Sequence, residues 1–235
     1  MPRTMKSKIA KSNSIPLPTV MSVNRETWVK QLNLSNFINA YYQYRDLQLC
    51  EHNRKILVVG PGQGLDPVIL KWRGYEVITL DIDNICKPDY LGSVHDMSMF
   101  MDGQFDVVIA SHVLEHLAEP YFDTALCEIA RVGRYAIIYL PVHGRHIQLR
   151  FIPGFKGLDI SFVFDFFNYF EKPDGITPRY MASQHFWEVG MRGYKVKDIV
   201  RRMSQFFDVL SAYRNYDWLP SQNFVLRSKM IANAD

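Results

Sequence analysis

The chain reads as an α/β protein: a Rossmann-like, seven-stranded, mostly parallel sheet with helices on both faces and an antiparallel hairpin at its C-terminal end. Three observations carry that reading. An apolar run, Ile56, Leu57, Val58 and Val59, stops at three glycines, Gly60, Gly62 and Gly64, and passes at once into a helix-like run. The alternation of strand, turn and helix then continues as far as Pro141, which predicts parallel strands joined by helical crossovers. The last two strand-like pieces have only turn-rich residues between them, so they pair as a hairpin.

Taken in order, residues 25–52 carry Trp28, Leu32, Leu34, Phe37, Ile38, Tyr41, Tyr42 and Leu49 at spacings nearer to helical than alternating, and one or two helices are expected there. A strand over 56–59, a helix over 66–72 ending at Gly74, and a strand over 75–80 follow. Residues 105–110 (FDVVIA) form another short buried strand, 121–131 a helix and 134–140 (RYAIIYL) a further strand. From about 142 to 182 prolines and glycines punctuate an aromatic stretch, DISFVFDFFNYF. It reads as an insertion over the sheet's edge, either a cap for an apolar acceptor or a packed cover. A helix over 194–205 and strands over 207–213 and 223–227 complete one domain, 25–235, behind a basic tail, 1–24.

The bulk numbers restrict function. A net charge of +3 owes much to Arg3, Lys6, Lys8, Lys11 and Arg25, which all precede the first acid, so the body is nearly neutral and no obligatory nucleic-acid partner is expected. Three scattered cysteines, Cys50, Cys86 and Cys127, make neither a disulfide framework nor a thiolate metal site, and point to a reducing, cytoplasmic setting. No apolar run reaches the length of a membrane span.

Glycines at this spacing leave room for backbone to approach a nucleotide-like ligand, and Asp81, in ITLDID at the end of the second strand, suits a ribose. An NAD enzyme shares both features, but it prefers Gly-x-Gly-x-x-Gly, and here the third glycine arrives one residue early, before Leu65. The later run GQFDVVIASHVLEHL decides between them. With it the chain resembles the class I S-adenosylmethionine-dependent methyltransferases, whose motifs read Gly-x-Gly-x-Gly, strand-end acid, Phe-Asp-x-Val and Val-Leu-Glu-His-Leu. The likeness is close over 55–141 and holds only in outline beyond.

That resemblance implies S-adenosylmethionine as cofactor, with Gly60, Pro61, Gly62 and Gly64 along its methionine half, Asp81 on the ribose hydroxyls and Ile82 on the adenine. It places Asp96 and the Met97 backbone amide at the adenine edge, and Ser111 and His112 before the sulfonium and the acceptor. Absence of Asn-Pro-Pro-Tyr or Asp-Pro-Pro-Tyr after the fourth strand argues against base amino groups of nucleic acid, so a small-molecule or glycan-like acceptor is expected. For a hydroxyl acceptor His112 or His143, with His146 behind them, would be the base. His185, Trp187 and Glu188 fall near the rim, Trp187 as packing and Glu188 as a possible substrate contact. A metal on His112, Glu115 and His116 with His143 or His146 suits the ligand chemistry. However, His112 stands where metal-using relatives carry Glu, and no metal is expected. The alternatives are a non-catalytic scaffold of the same fold and an NAD-dependent oxidoreductase.

Overall fold

The computed structural model describes residues 30–51, 53–151, 160–166, 173, 175 and 184–231. The expected tail, Trp28 and the middle of the aromatic insertion lie outside them. Helix α1 (Leu34–Asp46) opens the described chain and runs into a 3-10 turn, Leu47–Leu49, so residues 34–49 make one helix with a tightened end. Asn33 caps α1 by accepting the Asn36 amide, and the Asn36 side chain accepts the Asn33 amide in return.

Strands β1 (Lys55–Val59), β2 (Glu76–Asp81), β3 (Tyr90–Leu91), β4 (Phe105–Ser111), β5 (Gly133–Pro141), β8 (Phe207–Arg214) and β9 (Ser221–Ser228) form one sheet in the order β3-β2-β1-β4-β5-β9-β8. The first five are parallel, and β9 is antiparallel to both β5 and β8. The predicted hairpin is therefore present, with its second strand turned inward against β5 and its first at the sheet's edge.

Because β1, β4 and β5 are covered on both faces, their side chains read as unbroken apolar runs. Ile56, Val58, Val107, Ile109, Ile137 and Tyr139 point to one face, where Tyr42 and Leu47 and Leu70 of α2 (Leu65–Trp72) cover them. Leu57, Val59, Val108, Ala110, Ile138 and Leu140 point to the other. There Leu126 and Ile129 of α3 (Phe122–Val132) and Ile199 and Met203 of α4 (Val196–Met203) close the core. Trp187 is wholly buried on this face, stacked on Tyr194 at 5.1 Å and edge-on to Phe122 at 4.8 Å, with its indole N–H donating to the Leu117 carbonyl.

A buried acid joins α1 to the sheet. Asp46 is fully enclosed and accepts hydrogen bonds from Tyr139 Oη at 2.7 Å and Tyr213 Oη at 2.5 Å, while Arg45 pairs with its other oxygen at 2.8 Å and lies over the rings of Tyr42 and Tyr213.

Two expectations change. The insertion contains a second, two-stranded sheet, β6 (Arg145–Phe151) paired antiparallel with β7 (Ile160–Phe166). One face carries Ile147, Leu149 and Phe151 opposite Phe164, Phe162 and Ile160, all exposed, so these side chains are not a packed cover. The helix expected over 121–131 is present as Phe122–Val132, but the run from Leu114 that precedes it is not a plain loop. Before the helix stand two 3-10 turns, Leu114–His116 and Glu119–Tyr121, the second with Pro120 at its start. No described helix is long and apolar enough to cross a membrane.

Candidate functional site

At the end of β1 the backbone enters the left-handed region three times, with φ of 64° at Gly60, 52° at Gly62 and 77° at Gly64. Non-glycine residues adopt that region at a cost. Gly60 N–H donates to the Leu80 carbonyl at 2.8 Å, and a Cβ on Gly60 would stand 2.6 Å from Val113 Cγ2. The turn is thus pressed against the segment that follows β4, with no space for a side chain. Gly64 is the N-cap of α2 and aims that helix's first turn at the same place.

A cavity of about 250 Å³ opens there. Its walls are Gly60, Pro61, Gly62 and Gln63, the Asn33, Asn36 and Asn39 side of α1, Asp66 of α2, Ser111 and His112 at the end of β4, and Trp218. The site residues predicted for the methionine half are brought together, with Gly64 adjoining them between Gln63 and Leu65. The asparagines, Asp66 and Trp218 were not predicted, because on an amphipathic pattern they read as the outer face of helices or as turn residues. Asn39 hydrogen-bonds Ser111 Oγ at 2.8 Å and Gln43 donates to Asp66 Oδ2 at 2.8 Å, so α1 and the strand ends are tied across the opening. Burial pushes the Asp66 carboxyl up to about 6, against the lowering effect of the Gln43 amide.

Asp81 and Ile82 lie outside that cavity, on the neighbouring strand end. Asp81 is 7 % exposed and its Oδ1 accepts the Asp83 amide at 3.0 Å, while Ile82 is half-exposed. The adenine-edge expectation needs correction. Asp96 is fully exposed and caps the Ser98 amide, and the Met97 amide already donates to Glu128 Oε2 at 2.7 Å. β3 ends at Leu91, so the residues that stand next beyond its carboxyl end are Gly92, Ser93 and Val94. The strand is two residues long, too short to mark its own end in the sequence.

His112 has a φ of 54° and presents its ring to Trp218 at 4.8 Å, with Nε2 3.4 Å from Ser221 Oγ. Burial, helped by His185 and His116, pushes its pKa down to about 3, so the imidazole is neutral and weakly basic at pH 7. His143 is buried beside Glu188, Nδ1 to Oε2 3.0 Å, and does not line the cavity. His146 meets the Val142 carbonyl and Arg214.

Behind His112 lies a second polar group. Glu115 is fully buried with no hydrogen bond to either carboxylate oxygen from the described residues, and burial pushes its pKa up to about 7. Around its Oε1 stand His112 Nδ1 at 3.7 Å, His185 Nε2 at 3.9 Å and His116 Nε2 at 4.0 Å. Glu188 accepts from His185 Nδ1 at 2.7 Å as well as from His143. Burial works to lower the His185 pKa, but the Glu188 hydrogen bond and the Glu115 charge outweigh it and raise the value. Here too the sequence pointed to Glu115 and His116, but it did not bring His185 to them.

Residues 57–135 match a family model described as a methyltransferase domain. Among solved structures, a protein of Pyrococcus horikoshii is similar with a TM-score of 0.55 at 13 % identity, over 86 % of this chain and 93 % of its own. An S-adenosylmethionine-dependent methyltransferase of Clostridium acetobutylicum is similar with a TM-score of 0.53 at 8 % identity, over 84 % and 93 %. At these identities the likeness is one of fold. No curated protein matches in sequence.

Proposed function

Taking the chain as a member of the class I S-adenosylmethionine-dependent methyltransferases, on the match of residues 57–135 and the order of its sheet, we propose that it transfers a methyl group from S-adenosylmethionine to a small-molecule or glycan-like acceptor. The observation that carries this reading is the cavity between the left-handed glycine turn and the end of β4. A zwitterionic amino-acid moiety suits it. Asparagine amides offer donors to a carboxylate, and Asp66, the one carboxylate among the described residues of the lining, offers a partner to an ammonium. Asp81, one strand further along the rim, is then a ribose partner, with Ile82 and the Ser93–Val94 backbone at the base.

The methyl donor's sulfonium would face Ser111 and His112. In-line displacement at carbon needs reactants held collinear more than it needs acid or base, and such positioning supplies about 7–11 kcal/mol. We read His112 as a neutral wall that, with Trp218, orients the acceptor. The half-buried Trp218 offers an aromatic face to a planar or sugar ring, and the apolar ribbon β6–β7 is joined to the same rim by Arg150 and Asp217 at 3.0 Å. Those features support an acceptor with an apolar or ring-shaped body.

Calorimetric titration with S-adenosylhomocysteine tests the reading. The expected result is saturable binding that weakens about 10–100-fold in Asp81→Ala, the loss of charged hydrogen bonds to hydroxyls. Absence of binding by the intact chain would reject the enzyme reading in favour of a scaffold. A pH series adds a second expectation. The ionised Asp66 is the form that pairs with an ammonium, and the empty site holds its proton up to about pH 6. Affinity should therefore rise about fivefold from pH 5 to 6 and level off by about pH 7. In Asp66→Asn the profile should be flat; an equally steep one would place the ammonium elsewhere.

A further inference from the structure

We propose that Glu115, His116 and His185 bind one divalent first-row transition ion on the far side of His112 from the cavity. The starting point is a carboxylate in an untenable position. Glu115 is fully enclosed and neither of its oxygens has a hydrogen-bond partner among the described residues, a state that costs several kcal/mol for an ionised group. Yet the groups around it are arranged. His185 Nε2 and His116 Nε2 lie 3.9 and 4.0 Å from the same oxygen, Oε1, and the ligand atoms of the three residues all lie within 4.8 Å of one another.

The two separations from Oε1 are too long for hydrogen bonds and right for shared coordination, while ligand atoms as far apart as 4.8 Å would have to close by about 0.6 Å to share the ion. Two ligands on one ion at about 2.1 Å, with an angle between tetrahedral and linear, stand about 3.4–4.2 Å apart. The chemistry of the set, two imidazoles and a carboxylate, favours zinc, cobalt, nickel or manganese over magnesium or calcium.

The surroundings supply what a metal-binding histidine needs. His185 turns Nδ1 to Glu188 at 2.7 Å, which fixes the ring and leaves Nε2 aimed at Glu115. Glu188 is fixed in turn by His143. The two segments that carry the ligands are joined by a backbone bond, Phe186 N–H to the Glu115 carbonyl at 2.9 Å, and the second is tied to the end of β5 by Val189 N–H to the Pro141 carbonyl at 2.9 Å. A 3-10 turn places His112 three residues before Glu115, with Nδ1 3.7 Å from the same oxygen, so one ring separates the ion from the cavity. Three protein ligands leave coordination positions open. On the methyltransferase reading, the ion would act from behind, fixing the His112 ring that faces the cavity. Metal binding itself does not depend on that reading.

The test is cobalt(II) titration of the metal-stripped, untagged chain without cofactor, followed by the visible absorption of the bound ion and checked by zinc competition. One equivalent should bind and zinc should displace it. Glu115→Gln and His185→Asn should each lose at least about 100-fold in affinity, and Glu188→Gln about 10–100-fold. If Glu115→Gln does not fold, His116→Asn and His185→Asn decide. No cobalt spectrum with the intact chain, or unchanged affinity in the histidine variants, would overturn the site. A chain that binds cobalt but not S-adenosylhomocysteine would keep the metal site and reject the methyltransferase reading.

Discussion

Asp46→Ala should lower stability by about 3–5 kcal/mol, the cost of breaking a buried ion pair and leaving partner groups unsatisfied. In a domain of this size that is a fall of about 6–20 °C in the midpoint of thermal unfolding. The effect is large because one carboxylate serves three partners. Without it, the fully buried Tyr139 hydroxyl on β5 loses its acceptor, Tyr213 on β8 loses one, and Arg45 is left as a cation over two rings. The consequence reaches function, since Asp46 ends the helix whose opposite end presents Asn33, Asn36 and Asn39 to the cavity. Calorimetry of the variant alongside Asp208→Ala, at an exposed surface pair with Arg227, separates the two cases. The surface change should cost less than about 1 kcal/mol. Equal losses would mean that Asp46 does not anchor the helix.

The second large effect is expected at Gly60→Ala. An added methyl must occupy the left-handed region, at about 1–2 kcal/mol, and meet the β-branched Val113 at 2.6 Å. Relief requires either the turn or the start of the Leu114 segment to move. Both border the proposed cofactor, so S-adenosylhomocysteine affinity should drop at least about 100-fold. Gly64→Ala is the matched control: it has a similar φ of 77° but nothing within 4 Å of the new Cβ. It should lose about tenfold or less. If both variants bind equally well, the close approach at Gly60 has no part in ligand binding.

What could be read beforehand follows from how each segment is buried. β1, β4 and β5 are covered on both faces and announce themselves as apolar runs, and the glycines mark where the first of them must turn. β6 and β7 carried a period-two signal, in HIQLRF and ISFVFDF, but prolines, glycines and aromatic density around them drew attention to loops instead. β3 had no signal to give. Around the cavity, the residues predicted by motif are those whose spacing is local. Asn39 and Trp218 were hidden, and His185, though placed near the rim, was not joined to Glu115, because each meets its neighbours only through tertiary packing across the strand ends. Asp46 was hidden likewise; a polar residue on a helix reads as solvated until the tyrosines that enclose it are seen to come from two distant strands.

The position of β9 has a bearing on how this protein is made. Residues 221–228 follow every other described strand, yet they sit between β5 and β8. While the polypeptide emerges from the ribosome, β5 must wait with one long edge bare, and β8 has nothing to join. The nascent domain therefore cannot finish its sheet strand by strand; completion comes late, when β8 and β9 pair and β9 docks on the bare edge of β5. During that interval the bare edge is the surface most open to pairing with another unfinished chain.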